Sequence, residues 1–366
     1  GEASEGSAED VDTVKQEEVA RHDYRDDAFE DAPEPSPTKA KTDRPWSRAG
    51  NMSCEMGEHG VRKIFLSASS DLWESRNPAQ TQWSWLPQVV QGSKFQWERG
   101  AMIGRGALGR VYKALDLSTR TVIAVKEVPI DRNCEMDRRF VEDLENEVAI
   151  MEALKHPHIV TYFGHDYVES SLFMYLEHMP GGSLTQALQQ FGPFEECLMA
   201  ETAMQVLRGL EYMHETGVVH RDIKGGNILV GLDYIVKLAD FGCSKSTQET
   251  MVHTMRGSIP WMAPEVMAHS KYGRAADIWS FGCVMIEMGT ASVPWGRFNN
   301  QLAAFVKIGM SEETPPLPEG ISPDCEDFIG SCVRRDPGER PTASQLIETH
   351  FLQQPAAGPL EDASNY

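Results

Sequence analysis

The chain has 366 residues, 41% of them hydrophobic and 24% charged, an ordinary composition for a protein that buries a sizeable core. Its formal net charge of −21 argues against broad binding to nucleic acid or to anionic membrane, since both need clustered Lys and Arg. No apolar run approaches the roughly 18 residues that span a bilayer, and the acidic start, Gly1 to Asp10, is unlike a signal peptide, so an intracellular, cytoplasmic setting is expected.

The first residue is Gly rather than Met, which suggests a trimmed or partial chain. Residues 1–34 carry 13 Asp or Glu against 3 Lys or Arg and lack sustained apolar periodicity. Such a segment cannot offset the entropy of ordering and is expected to be disordered. Residues 35–95 are mixed, a Pro/Lys stretch followed by a segment with Trp73, Trp83 and Trp85, read as a connector that could also dock on a partner. The whole of 1–95 is therefore assigned to one N-terminal region. Seven cysteines, with no CxxC pair, read as reduced thiols, and Cys283, Cys325 and Cys332 lie in apolar helical patterns that favour simple burial.

The pattern changes at Trp97. Strand-like segments run to about residue 130, a helix is expected over about 137–155, further strands reach about 179, and mostly helix follows to about 352. Runs of strands followed by runs of helices predict an α+β fold with two unequal lobes over 96–352. Residues 353–366, with Pro355 and Pro359, read as a short tail.

The first strands enclose Gly104-Arg105-Gly106-Ala107-Leu108-Gly109, a GxGxxG pattern that alone is a weak signal. A dinucleotide fold places these letters between strand and helix, whereas here the β-rich run from Val111 to Leu115 and a second strand, Thr121 to Val128, follow. Glycines between antiparallel strands make a lid whose backbone N–H groups can close over phosphates. In the second strand, period-two alternation puts Lys126 on one face with Val122, Ala124 and Val128. A lysine on that face needs anions to offset its desolvation, and phosphates plus a carboxylate supply them. Glu142, Asp143, Glu145, Glu147 and Glu152 of the following helix are all candidates, and periodicity alone does not choose.

His220-Arg221-Asp222-Ile223-Lys224-Gly225-Gly226-Asn227 is more specific, and Asp240-Phe241-Gly242 begins 13 residues after the Asn; Ala263-Pro264-Glu265 follows. With the glycine loop and Lys126, these motifs resemble the eukaryotic protein kinase family in order and spacing, from about Trp97 to Leu352. The resemblance implies the bilobal protein kinase fold, with a small β-rich lobe holding one main helix and a larger, mostly helical lobe. It also implies ATP and Mg²⁺ as cofactors and transfer of the γ-phosphoryl group to protein Ser/Thr hydroxyls.

By that resemblance Asp222 is the base that accepts the substrate hydroxyl proton, and Lys224 contacts the γ-phosphate and marks Ser/Thr specificity. Asn227 and Asp240 are oxygen ligands for Mg²⁺. Lys126 orients the nucleotide phosphates with Glu147 as its ion-pair partner, Glu145 being the second choice. The nucleotide pocket takes Ile103, Gly104, Gly106, Gly109, Val111 and Ala124, with Leu176 at its back and the backbone of Glu177 and Met179 for the adenine edge. Arg340 is expected to pair with Glu265 and Asp277 to brace the catalytic loop. Thr254, with Arg221, is the expected phosphorylation switch.

Pro180-Gly181-Gly182-Ser183-Leu184, Trp261-Met262-Ala263-Pro264-Glu265 and Asp277-Ile278-Trp279-Ser280-Phe281-Gly282-Cys283 resemble MAP kinase kinase kinases, which implies MAP kinase kinases as protein substrates. The p21-activated-like branch is the alternative within the family, and a pseudokinase scaffold is the alternative outside catalysis. The upstream activator is not legible.

Overall fold

The computed structural model describes residues 52–56, 62–66, 95–106, 109–130, 135–240, 259–268, 272–298 and 300–353. The acidic stretch 1–34, the tryptophans of the N-terminal region, Thr254 and the tail from 354 onward lie outside the described residues. Inside the stretch read as a connector, β1 (Met52–Met56) pairs antiparallel with β2 (Arg62–Leu66), from Met52 opposite Leu66 to Met56 opposite Arg62. No element was expected there, because five-residue strands without strict alternation leave little periodic signal.

The smaller lobe is a five-stranded antiparallel sheet in the order β3-β4-β5-β7-β6: β3 (Trp97–Arg105), β4 (Arg110–Asp116), β5 (Val122–Pro129), β6 (Tyr162–Val168) and β7 (Ser171–Glu177). The central strand β5 is covered on both faces. Ile123 and Val125 pack outward with Trp97, Phe173 and Tyr175, while Val128 faces α1 (Glu135–Ala153) and joins Leu144, Val148 and Met151. Burial on both sides explains why this strand reads as a nearly continuous apolar run. A buried hydrogen-bond chain anchors the sheet's outer layer: Trp97 Nε1 donates to Tyr175 Oη at 3.2 Å, and Tyr175 Oη to Asp166 Oδ2 at 3.0 Å.

The larger lobe is helical: α2 (Leu184–Phe191), α3 (Glu196–Glu215), α4 (Pro264–Met267), α5 (Arg274–Thr290), α6 (Gln301–Ala304), α7 (Pro323–Cys332), α8 (Ala343–Ile347) and α9 (His350–Gln353). The helix α5 is buried continuously from Ala276 to Met288, so its sequence is apolar all round and carries few charges. Within the buried run the charges are Asp277 and Glu287, 0% and 3% exposed, while Arg274 at the helix start is exposed. Cys283, Cys325 and Cys332 are buried free thiols in the lobe's core. Both N-lobe and C-lobe therefore match the expected α+β, two-lobed arrangement, and among the described residues no helix is long and apolar enough to cross a membrane.

A short hairpin positions the site. The strands β8 (Ile228–Val230) and β9 (Val236–Leu238) pair antiparallel, with Ile228 opposite Leu238. Asn227 enters the first strand and Asp240 leaves just beyond the second, and Ala239 N donates to Asn227 O at 2.9 Å. A separation of 13 residues in sequence thereby closes to neighbouring positions in space.

Candidate active site

The lysine of β5 meets two carboxylates. Lys126 Nζ lies 2.8 Å from Asp240 Oδ1 and 3.6 Å from Glu147 Oε1. Burial would lower the pKa of Lys126, but the charges of Asp240 and Glu147 outweigh it and raise the pKa, so the ammonium stays charged. The same ammonium pulls the Asp240 carboxyl below the ordinary range, whereas burial pushes that of Glu147 up. Glu147 is 5% exposed, and Glu145 on the same helix is exposed. Burial separates the candidates: Glu147 shares the inward side of the helix with Leu144, Val148 and Met151, while Glu145 and Glu152 are exposed.

The catalytic-type loop is fixed from beneath by α5. Asp277 accepts from His220 N at 2.9 Å and Arg221 N at 2.8 Å, and its Oδ2 lies 2.9 Å from His214 Nε2. Burial pushes the pKa of His220 down, and its Nδ1 accepts from Asp222 N at 3.3 Å. Asp222 Oδ2 then accepts from Lys224 Nζ at 2.8 Å and Asn227 Nδ2 at 2.7 Å. Its Oδ1 is buried and has no hydrogen-bond partner among the described residues. One oxygen of this carboxylate is clamped, and the other is left as an acceptor.

Two residues here adopt left-handed backbone, Arg221 at φ 70° and Asp240 at φ 62°. Such strain in non-glycine residues concentrates at functional sites and persists only where the surroundings over-determine it. The Arg221 guanidinium lies 5.6 Å from the Tyr272 ring centroid. Because Asn227 donates both bonds of its Nδ2 to Asp222, its Oδ1 is turned away as an acceptor. With the half-exposed Asp240 carboxylate this gives two hard oxygen donors, a set that fits Mg²⁺ completed by phosphate oxygens.

The glycine hairpin joins β3 to β4, the strand beside Lys126 in β5. Gly106 N donates to Gly109 O at 2.9 Å and closes the turn. Gly109 is required by proximity, since a Cβ there would stand 2.1 Å from Glu127 O. Gly104 faces Val111 across the β3–β4 ladder, Ile103 is exposed, and Ala124 on β5 is paired with Leu176 of β7. From Glu177, the last residue of β7, the chain continues to Met179, the start of the hinge between the lobes in sequence, and Met179 packs with Val160, Ala239, Leu176 and Leu229.

The protein kinase domain family model matches residues 97–352, the span that carries all of these elements. The chain belongs to the protein kinase family. Among curated relatives it is 42% identical over 264 residues to mitogen-activated protein kinase kinase kinase 2 of Arabidopsis thaliana, covering 70% of this chain and 41% of the relative. It is 42% identical over 297 residues to mitogen-activated protein kinase kinase kinase ANP1 of the same plant, covering 79% and 43%. It is 39% identical over 269 residues to mitogen-activated protein kinase kinase kinase A of Dictyostelium discoideum, covering 72% and 29%. The chain thus spans about two fifths or less of these relatives' length.

In this kinase domain Arg340 forms a bidentate pair with Glu265, at 2.7 Å from Nη1 and 2.8 Å from Nη2. The guanidinium also donates to the backbone oxygens of Ala275, Arg334 and Arg335 and lies 5.1 Å from the Trp279 ring centroid. With the Arg340 side chain fully buried, its removal leaves Glu265 uncompensated. Arg340→Ala is expected to cost about 3–5 kcal/mol, read as a lower thermal midpoint. An unchanged midpoint contradicts that account.

Sequence reasoning missed the polar tie behind the hinge. Glu177 Oε2 accepts from Thr161 N at 3.0 Å, Thr161 Oγ1 at 2.7 Å and Lys237 Nζ at 2.8 Å. Burial alone would raise the Glu177 pKa, but the bonds from Lys237 and Thr161 lower it. The available signal was Lys237 itself, a charge set between Val236 and Leu238 in an otherwise apolar strand.

Proposed function

We propose that this chain is an ATP- and Mg²⁺-dependent protein serine/threonine kinase of the MAP kinase kinase kinase type, acting on MAP kinase kinases. The observation that carries the reading is the Asp222 carboxylate, with Oδ2 clamped by Lys224 and Asn227 and Oδ1 without a hydrogen-bond partner among the described residues. Such an oxygen takes the proton of an acceptor hydroxyl as that hydroxyl bonds to the γ-phosphorus and the bond to the leaving diphosphate breaks. Lys126, held by Glu147, orients the α and β phosphates, and Lys224 offsets charge on the γ-phosphoryl group. Asn227 Oδ1 and the Asp240 carboxylate would hold Mg²⁺, which when bound would supply positive charge against the nucleotide phosphates. Ile103, Gly104, Gly106, Gly109, Val111 and Ala124 enclose the nucleotide. Glu177 donates its N–H to Thr161 O at 2.9 Å and Met179 O accepts from Gly182 N at 3.3 Å, so the Glu177 carbonyl and the Met179 N–H are the groups assigned to the adenine edge. The substrate class is supported by the names of the relatives.

The test is transfer of phosphate from Mg·ATP to a kinase-inactive MAP kinase kinase, with Asp222→Asn as the control and the product residues identified by mass spectrometry. Phosphoserine and phosphothreonine well above the control are expected. Equal incorporation by wild type and control, or mainly phosphotyrosine, sinks the reading.

Regulation belongs to the same reading. Thr254 stands in the segment between Asp240 and Glu265, and Arg221, beside the base, offers a guanidinium to an added phosphate. Thr254→Ala is expected to lower kcat at least about tenfold, in line with ordering of a loop by phosphate. Phosphatase treatment lowers wild-type activity to the same level and leaves the variant unchanged. A fully active variant removes Thr254 as the switch.

A further inference from the structure

Glu287 lies near the C-terminal end of α5 and is 3% exposed. Its carboxylate joins three separate segments. Oε2 accepts from Gly225 N at 3.1 Å and from Trp261 Nε1 at 2.9 Å. Oε1 accepts from Thr185 Oγ1 at 2.6 Å. Gly225 sits between Lys224 and Asn227, Trp261 belongs to the segment that ends at Glu265, and Thr185 opens α2. Trp261 is held a second time from the same helix, because Ser280 Oγ donates to Trp261 O at 2.7 Å.

The close approach depends on residue 225 being glycine. A Cβ there would stand 2.5 Å from Glu287 Oε1 and 2.6 Å from Thr185 Oγ1. Any side chain would push the loop off α5, and with it Lys224 and Asn227, the two donors that orient Asp222. Asp277 holds the front of the loop at residues 220 and 221, and Glu287 holds its back at residue 225. Between these two anchor points on one rigid helix stands Asp222.

We propose that Glu287 is a positioning residue of the kinase reaction: it locks the back of the catalytic loop, the indole of Trp261 and the start of α2 into one frame. That frame sets where a substrate hydroxyl meets Asp222. The proposal rests on the kinase reading of the site. All three contacts are hydrogen bonds from neutral donors, so the role is geometric. Lys224 adds a Coulombic attraction that is weaker than these hydrogen bonds, so loss of the charge alone is expected to cost little. A glutamine can keep its carbonyl at the Oε2 position for Gly225 and Trp261 and place its amide N–H₂ against Thr185, whose hydroxyl reverses to accept.

Two variants separate geometry from charge. Glu287→Gln is expected to retain most of the wild-type kcat. Glu287→Met, similar in length and apolar, removes every acceptor; kcat toward a protein substrate is expected to fall about tenfold or more, as for a displaced catalytic group, while KM for ATP stays within a few-fold. Gly225→Ala is expected to reproduce the Met phenotype from the opposite side of the contact. Hydrogen exchange provides a readout without turnover: the amides around Gly225 are expected to lose protection in Glu287→Met and keep it in Glu287→Gln.

Wild-type kcat in both Glu287→Met and Gly225→Ala overturns the proposal, as does a Gln variant as impaired as the Met variant. If wild type transfers no phosphate above Asp222→Asn, the kinase reading itself fails. Exchange then decides the positioning claim alone, and unchanged protection in Glu287→Met overturns it.

Discussion

Replacing Asp222 by Asn is expected to lower kcat by about 10²- to 10⁴-fold, the usual contribution of a positioned base. The substitution is nearly isosteric, and its outcome follows from the two donors on Oδ2. Lys224 Nζ and Asn227 Nδ2 both point at that atom, so an asparagine must turn its carbonyl oxygen toward them. The amide N–H₂ then occupies the position of Oδ1, the oxygen without a partner among the described residues. A donor replaces an acceptor where the substrate hydroxyl must give up its proton. Steady-state kinetics with Mg·ATP and a protein substrate read the effect, with KM for ATP expected to change only a few-fold. A variant with kcat within threefold of wild type shows that Asp222 is not the base.

Lys126→Met is expected to lower kcat by about 10²- to 10³-fold, the scale for removing one preorganised electrostatic contact. Methionine keeps the length of the side chain beneath the sheet and removes only the cation. Without it Asp240 and Glu147 face each other with no charge between them, and each is pushed toward protonation. Asp240 protonates at a higher pH than in the wild type, because the lysine that held its pKa down is gone. Loss of activity is therefore expected to extend to the proposed metal donor as well as the proposed phosphate contact. Lys126→Arg is a useful companion: it keeps a positive charge in a planar, bulkier form and is expected to recover little, since the contact depends on a compact ammonium. Thermal denaturation checks that the fold survives. Wild-type kcat in Lys126→Met would remove the assigned nucleotide site.

Much of this site was legible from short-range pattern. The run from His220 to Asn227 and the Asp240-Phe241-Gly242 motif name their residues directly, because each group must occupy a fixed offset on one loop. The alternation of β5 put Lys126 on one face with Val122, Ala124 and Val128; Ala124 and Val128 are buried there, while Val122 at the strand's start is exposed. The acidic partner was less accessible. Five carboxylates crowd α1, and only the inward frame of Leu144, Val148 and Met151 distinguishes Glu147 from its neighbours. The pair β1–β2 gave no usable signal at all.

The amino-acid order alone determined the family, the two-lobed α+β plan and the identity of the loop residues, since these follow from local periodicity and from motifs whose spacing is set by the chain. Only the tertiary structure decided which distant groups meet. That Asp277 and Glu287, ten residues apart on α5, grip the two ends of the catalytic loop depends on how a wholly buried helix is seated, and its sequence carries no periodicity to orient it. That Glu177 is tied to Thr161 and Lys237 depends on β9 lying beside the hinge. The left-handed backbone of Arg221 is likewise imposed from outside, because arginine seldom adopts it, and at Asp240, which tolerates it better, the bond to Lys126 helps hold it. Local propensities specify elements; long-range packing, summed over contacts between segments far apart in the chain, specifies the site.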